Sequence, residues 1–305
     1  MTAIIAEDLT KMYGDLAALN GVSFEVPDGQ CVAMLGPNGA GKTTTIEILE
    51  GFLAPTRGSV RVLGADPRRG GRGWRARIGL VMQSTSLDGE LTVRDLLTTF
   101  GAQYPNPLGL YEVLEMVGLE DEAETRFSTL SGGQQRRVDV AVGIIGRPEI
   151  LFLDEPSTGL DPEARRHLWA GIENLAASGM TVLLTTHYME EASQLADRLI
   201  VIADGQMLTD TTPDELRGRD GQVLIRFPVP PSVPLTSLPP RLANALDPAR
   251  SHINVHTDDV ATVLKELMAW AEPHNLSLDA LEVGPPSLED AYLALTGNHT
   301  KETQS

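Results

Sequence analysis

The chain has 305 residues, 42% of them hydrophobic and 22% charged, proportions that exclude wholesale disorder and fibrous or collagen-like structure. At about 100 to 200 residues per domain, this length makes one large domain or a large one with a small companion. Lys and Arg number 24 against 42 Asp and Glu, a formal charge of −18 that repels phosphate backbones and anionic headgroups and argues against a bulk nucleic-acid binder.

The single cysteine, Cys31, has no internal disulfide partner and suits a reducing compartment; inside an apolar run it reads as a small buried residue. Residues 1–8 carry no basic segment followed by an apolar stretch, so no signal peptide is expected. The longest apolar run, residues 138–145, is broken by Asp139 and Gly143, so no transmembrane segment is expected either.

In chain order, residues 22–26 and 31–35 read as two strands joined by a Pro27-Asp28-Gly29 turn, the second of them buried. A Gly-rich loop follows at residues 36–41 and then a helix over 43–52. Further strands fall at residues 78–82, 150–153, 181–185 and 199–202, with helices at 163–176 and 189–195 between them. Such alternation argues an α/β fold, a mostly parallel sheet with helices on its faces. Residues 84–147 interrupt it as a helical subdomain, with helices at 93–100, 110–117 and 134–145. Asp204-Gly205 is a hairpin turn leading into 206–208.

After residue 218 the composition shifts. Residues 227–231 and 234–240 are Pro-rich loops, short strands and helices follow, and Ser287-Leu288-Glu289-Asp290 caps a last helix to about Leu295. The expected division is 1–219 as the main domain, 220–297 as a small α+β domain and 298–305 as a tail.

Gly36-Pro37-Asn38-Gly39-Ala40-Gly41-Lys42-Thr43-Thr44 fits G-x-x-x-x-G-K-[ST] between a buried strand and a helix. Glycines there turn backbone N–H groups onto phosphate oxygens, a lysine at the Lys42 position reaches the β and γ phosphates, and the Thr43 hydroxyl is placed to ligate Mg²⁺. The chain is therefore expected to bind a nucleoside triphosphate. The buried strand at 150–153 ends in Asp154 and Glu155, and neighbouring strand-end acids point different ways: Asp154 is expected to hold Mg²⁺ and Glu155 to polarise the attacking water.

A third strand ends at Thr186-His187, where His187 either senses the γ phosphate and orients the water or caps the next helix. A fourth ends at Gln83, suited to touch Mg²⁺ or the water. Parallel sheets gather ligands at these carboxyl ends. Leu130-Ser131-Gly132-Gly133-Gln134 precedes a helix, with Ser131 as N-cap and exposed N–H groups behind it, a second anion cradle. Two cradles for one nucleotide point to a shared one.

This ordered set, with Ser157-Thr158-Gly159-Leu160-Asp161, resembles the ATP-binding subunit of ATP-binding cassette (ABC) transporters over residues 1 to about 215. The resemblance implies the P-loop ABC fold, with an antiparallel β part beside the parallel core, and ATPase activity with ATP and Mg²⁺. It also implies a head-to-tail dimer in which ATP on Gly36 to Thr44 of one copy is clamped by Ser131, Gly132, Gly133 and Gln134 of the other. Asp161 would communicate between the two sites and Tyr13 would stack on adenine. Ser157 stands where many members have Thr. Residues 83–93 resemble the segment that receives the membrane partner's coupling helix.

Residues 286–297 resemble the ending of daunorubicin/doxorubicin-resistance-type subunits, which pair with a separate ABC-2-type permease. That implies an exporter of a drug, antibiotic or lipid-like compound, peripheral on the cytoplasmic face of the membrane. A soluble ABC ATPase of cluster assembly, or one acting on a ribosome or DNA complex, is the competing reading. A P-loop kinase or GTPase fails on the 130–134 segment.

Two remaining features read blandly. The basic run from Arg68 to Arg77 is a solvated loop entering a strand. His252, Asn254, His256 and Asp258 alternate as the wet side of a sheet rather than as a metal site.

Overall fold

The computed structural model describes residues 1–83, 87–218, 223–230, 233, 235–247 and 251–303. Residues 84–86, part of the expected coupling segment, and Pro231 and Pro234 of the Pro-rich loops lie outside the described residues.

The elements run β1 (Thr2–Tyr13), β2 (Leu16–Pro27), β3 (Cys31–Leu35), α1 (Lys42–Glu50), β4 (Arg57–Val62), α2 (Arg72–Arg75), β5 (Ile78–Val81), α3 (Val93–Gly101), α4 (Leu110–Val117) and α5 (Gly132–Ile144). Next come β6 (Ile150–Asp154), α6 (Pro162–Ala177), β7 (Thr181–Thr186), α7 (Met189–Leu195), β8 (Arg198–Ala203), β9 (Gln206–Thr211) and α8 (Pro213–Gly218). The chain closes with β10 (Val223–Pro228), α9 (Pro240–Asn244), β11 (His252–Thr257), α10 (Val260–Ala271), β12 (Glu282–Gly284) and α11 (Leu288–Thr303). It forms two compact units, Met1–Pro213 and Asp214–Ser305.

In the first unit a six-stranded sheet runs β5-β6-β7-β3-β8-β9, parallel from β5 to β8 with β9 antiparallel at the edge. Every residue of β3, β6 and β7 is buried, as a sheet covered on both faces requires. A second, antiparallel sheet runs β2-β1-β4. Ile4, Leu9, Val22 and Val62 from it pack with Ile46 and Leu49 of α1 and with Val32, Met34, Phe152, Leu183 and Ile200 of the large sheet in one core. The hairpin at Asp204-Gly205 has both residues at positive φ (48° and 72°), the twist-matched turn for two strands. Cys31 is buried, and burial, with Asp197 and Glu191 nearby, pushes its thiol up to about 12.

Sequence pattern alone gives β1 no assignment. Its pairing with β2 shifts register between Ala6 and Leu9, and Asp8 there turns left-handed (φ 50°), so the apolar residues lose the period-two alternation that marks a strand. The helix expected over 43–52 stops at Glu50, because Gly51 caps it by donating its N–H to the Ile48 carbonyl, and Phe52 is left exposed. The helix expected from 134 begins two positions earlier, at Gly132, directly after its N-cap Ser131.

In the second unit β11-β10-β12 form an antiparallel sheet. Ile225, Phe227, Ile253 and Val255 pack there with Val263, Leu267 and Trp270 of α10. Phe227 and Pro228, expected in a loop, end β10 as strand residues, a position where proline's missing N–H is tolerated. His252, Asn254 and His256 do lie on the less buried side of β11, alternating with Ile253, Val255 and Thr257. Ser287 caps α11 through Asp290, but the helix runs on to Thr303 rather than ending near Leu295; Gly297 weakens a helix without stopping it.

Candidate active site

The spatial order β5-β6-β7-β3 brings four strand ends side by side: Gln83 after β5, Asp154 and Glu155 at β6, His187 after β7, and the loop 36–41 after β3. They open onto a cleft of about 740 Å³ lined among others by Tyr13, Asn38, Lys42, Thr43, Glu155 and His187.

The loop's shape is fixed by close approach. A Cβ on Gly36 would sit 2.3 Å from the Ile202 carbonyl oxygen. Gly41, the N-cap of α1, takes φ 105° with Ala18 O at 2.5 Å from its would-be Cβ, a place only glycine fills without strain. The Lys42 side chain is 5% exposed. Its Nζ donates to the Gly36 carbonyl at 2.8 Å and the Pro37 carbonyl at 3.2 Å and lies 3.5 Å from Glu155 Oε1. Its charge is thus aimed back across its own loop.

Thr43 Oγ1 donates to the Asp154 carboxylate at 3.3 and 3.5 Å. Thr185 Oγ1 donates to Asp154 Oδ1 from the other side. A hydroxyl and a carboxylate converging from α1 and β6 are the hard oxygen donors that Mg²⁺ selects, so the residues present fit that cation.

Glu155 turns the chain left-handed, with φ 44°, uncommon for a residue with a side chain. Its N–H is held by the Thr185 carbonyl at 3.1 Å and Thr185 Oγ1 at 3.0 Å. The turn lifts its carboxylate, 11% exposed, into the cleft. There Oε2 accepts from Gln83 Nε2 at 3.3 Å and Thr158 Oγ1 at 3.2 Å, and Oε1 lies 3.4 Å from His187 Nδ1. The His187 ring rests on Tyr188, centroids 4.1 Å apart, and the Arg165 guanidinium covers Tyr188 at 4.5 Å. Tyr13, 48% exposed, offers an open ring beside Lys11, whose Nζ lies 5.2 Å from the ring centroid.

Ser131 and Gln134 form a reciprocal cap. Gln134 N–H donates to Ser131 Oγ at 3.3 Å and Ser131 N–H to Gln134 Oε1 at 2.9 Å, while Gln134 Nε2 donates to Glu122 at 2.7 Å. Gln134 is therefore committed to bracing its own helix tip, and Ser131 and Gly132 are exposed. None of residues 131–134 lines the cleft. Asp161 caps α6 through the N–H groups of Glu163 and Ala164; the Ala164 bond above all holds its carboxyl below the usual range.

Sequence reasoning named Thr158 without giving it a role and missed Thr185, Arg136 and Glu191. Arg136 is buried, its guanidinium bonded to backbone carbonyls. Glu191 is fully buried on α7 and accepts from Trp169 Nε1 at 2.9 Å; burial raises its pKa. Its i, i+4 spacing to buried Leu195 is the one signal that marks Glu191 as inward-facing.

A buried-strand phosphate loop with an acidic strand end and a polar neighbour on each side defines a P-loop nucleoside triphosphatase. The family model for ABC transporters matches residues 19–158, and one for the C-terminal domain of ABC-transporter-like proteins matches 223–287. A daunorubicin resistance ATP-binding protein of Streptomyces coeruleorubidus is 37% identical over 99% of this chain and 98% of its own. A Nod factor export ATP-binding protein of Paraburkholderia xenovorans is 37% identical over 98% of this chain and 99% of its own.

Among solved structures, the ADP conformation of an ATP-binding cassette of an ABC transporter superposes with TM-score 0.63 at 26% identity, covering 70% of this chain and 92% of that one. A dimeric, post-hydrolysis cassette bound to ADP and Pi gives 0.61 at 27%, covering 68% and 98%. The chain belongs to the ABC transporter family, as an ATP-hydrolysing subunit of the exporter type. Among the described residues no helix is long and apolar enough to cross a membrane.

Proposed function

We propose that two copies of this chain close head to tail on two ATP molecules and, on hydrolysis, reopen to drive a separate ABC-2-type permease that exports a drug, antibiotic or lipid-like compound. The observation that carries the reading is the split of one phosphate site between two places. The cleft is lined by Tyr13, Asn38, Gly39, Gly41, Lys42, Thr43 and Thr44, whereas Ser131 and Gly132 of the second cradle are exposed at a helix tip and do not line it. A second copy supplies the missing half.

In this reading Tyr13 stacks on adenine and the loop N–H groups bind phosphate oxygens. Lys42 leaves its loop carbonyls for the γ phosphate. Mg²⁺ would be held by Thr43, Asp154 and Gln83 and would neutralise charge on the β and γ phosphates. Glu155, held by Thr158 and Gln83, accepts the proton of the attacking water. His187, resting on Tyr188, contacts the γ phosphate and holds Glu155 in line. Asp161, at the start of α6, faces the other copy and reports the state of one site to the other.

The chain would sit at the cytoplasmic face of the membrane, joined to the permease through the segment around 83–93. The unit from 214 onward, whose last helix resembles that of drug-resistance subunits, would be an accessory domain of the exporter class. The full-length relatives named for daunorubicin resistance and Nod factor export support the export direction.

The test is light scattering on the Glu155→Gln protein. A dimer that forms at saturating Mg-ATP and disperses when nucleotide is removed is expected. Monomers alone, with the permease present, would refute the head-to-tail arrangement.

A further inference from the structure

Arg136 stands on the second turn of α5, the helix whose tip carries Ser131, and its side chain is only 9% exposed. Its guanidinium donates to the Met82 carbonyl from Nη1 (2.5 Å), the Asp154 carbonyl from Nη2 (3.1 Å) and the Pro156 carbonyl from Nε (2.8 Å). Nη1 also lies 3.5 Å from Asp139 Oδ2, one turn along the same helix. Each of these carbonyls belongs to the peptide group immediately before a residue that matters: Gln83, Glu155 and Ser157.

The peptide between Asp154 and Glu155 is pinned at both ends. Its carbonyl is held by Arg136, and its N–H by Thr185. Glu155 needs such restraint, because a left-handed residue with a side chain persists only where its surroundings over-determine it. A rigid planar fork meeting several acceptors from one side is what arginine supplies and lysine does not. Arg136 does not line the cleft, and its hydrogen bonds go to Met82, Asp139, Asp154 and Pro156 rather than to the phosphate loop.

We propose that Arg136 is a positioning residue for hydrolysis, coupling the α5 tip to the peptides that lead into Gln83, Glu155 and the Ser157-Thr158 turn. The inference rests on the head-to-tail reading above. When Ser131 closes on the other copy's ATP, α5 carries the fork with it, and the chain's own base is set only once its helix tip is engaged. Capture in one site thereby licenses cleavage in the other.

The experiment compares Arg136→Lys and Arg136→Met with the wild type, full chain assembled with its permease, measuring Mg-ATP affinity, kcat, KM and melting temperature. Misplacing a reacting group by about 1 Å costs on the order of 100-fold in rate, so kcat is expected to fall about 10- to 100-fold in Arg136→Met and less in Arg136→Lys. Mg-ATP affinity should stay within about threefold, because the phosphate loop is untouched.

Unchanged kcat in both variants overturns the proposal. So does parallel loss of affinity, kcat and folding in both, which would assign Arg136 to stability alone. The Glu155→Gln contrast in an otherwise native chain tests the underlying reading separately, since it leaves Arg136 in place.

Discussion

Replacing Glu155 by glutamine keeps the shape and the hydrogen bond from Thr158 but removes the base. Its carboxylate accepts two side-chain bonds and sits 3.5 Å from Lys42 and 3.4 Å from His187, so neutralising it has two opposite consequences. Hydrolysis loses general-base assistance, worth about 10²- to 10⁴-fold, or about 2.7 to 5.5 kcal/mol of barrier. Binding gains, because a negative charge leaves the vicinity of an incoming triphosphate and frees Lys42 for it.

At about 4 Å a unit charge pair is worth from about 1 kcal/mol in water-like surroundings to about 4 near a protein surface. Lys42 keeps its two carbonyl partners, so only part of that appears. Affinity should be unchanged or up to about tenfold tighter, since 1.4 kcal/mol is tenfold. Single-turnover phosphate release and equilibrium titration with Mg-ATP, on the same preparation, read both. A Glu155→Gln protein that hydrolyses at the native rate, or binds ten times more weakly, would refute this account of the site.

Gly36→Ala must push the loop off the Ile202 carbonyl, 2.3 Å from the new Cβ. Overpacking of this kind costs about 1 to 3 kcal/mol, so a lower denaturation midpoint and loss of measurable nucleotide binding by calorimetry are expected, and native affinity would show that the loop has room. Gly133→Ala meets the Ala164 Cβ at 2.4 Å, where α5 rests on α6. It should lower stability by a similar amount and abolish the ATP-dependent dimer while leaving monomer binding intact, which scattering and titration separate.

Cys31, its thiol raised to about 12, remains neutral and unreactive to thiol reagents at pH 8 in the native protein, and one thiol appears in denaturant. Because the folded pKa lies above the unfolded one, this group favours the fold below about pH 8.5 and that preference fades as pH rises toward 12. Rapid labelling of the native state at pH 8 would show the strand to be open.

A site residue is legible in the sequence where its own neighbours mark it. The phosphate loop is legible because only a glycine-rich turn between a buried strand and a helix brings N–H groups together. Asp154 and Glu155 are legible because two acids end an otherwise apolar strand. Ser131 reads as a cap from its own sequence. The roles of Thr185, Thr158 and Arg136 escaped for the opposite reason: their partners are a carboxylate across the sheet, a neighbour in a tight turn, and backbone carbonyls that carry no residue identity. The strand β1 escaped because a bulge at Asp8 breaks its alternation.

By itself the sequence determined the strands and helices of the parallel core, the glycine-rich loop between β3 and α1 and the class of chemistry, because capping, periodicity and turn stereochemistry act over a few residues. It did not determine which strand ends become neighbours. β5, β6 and β7 follow β3 in the chain, yet the sheet places them in the order β5-β6-β7-β3, and only that order brings Glu155 within reach of Gln83, Lys42 and His187 at once. Nor did it determine the left-handed turn at Glu155 or the arginine that holds its peptide. Those rest on hydrogen bonds between segments far apart in the chain, which form only when burial of both sheet faces has fixed the packing.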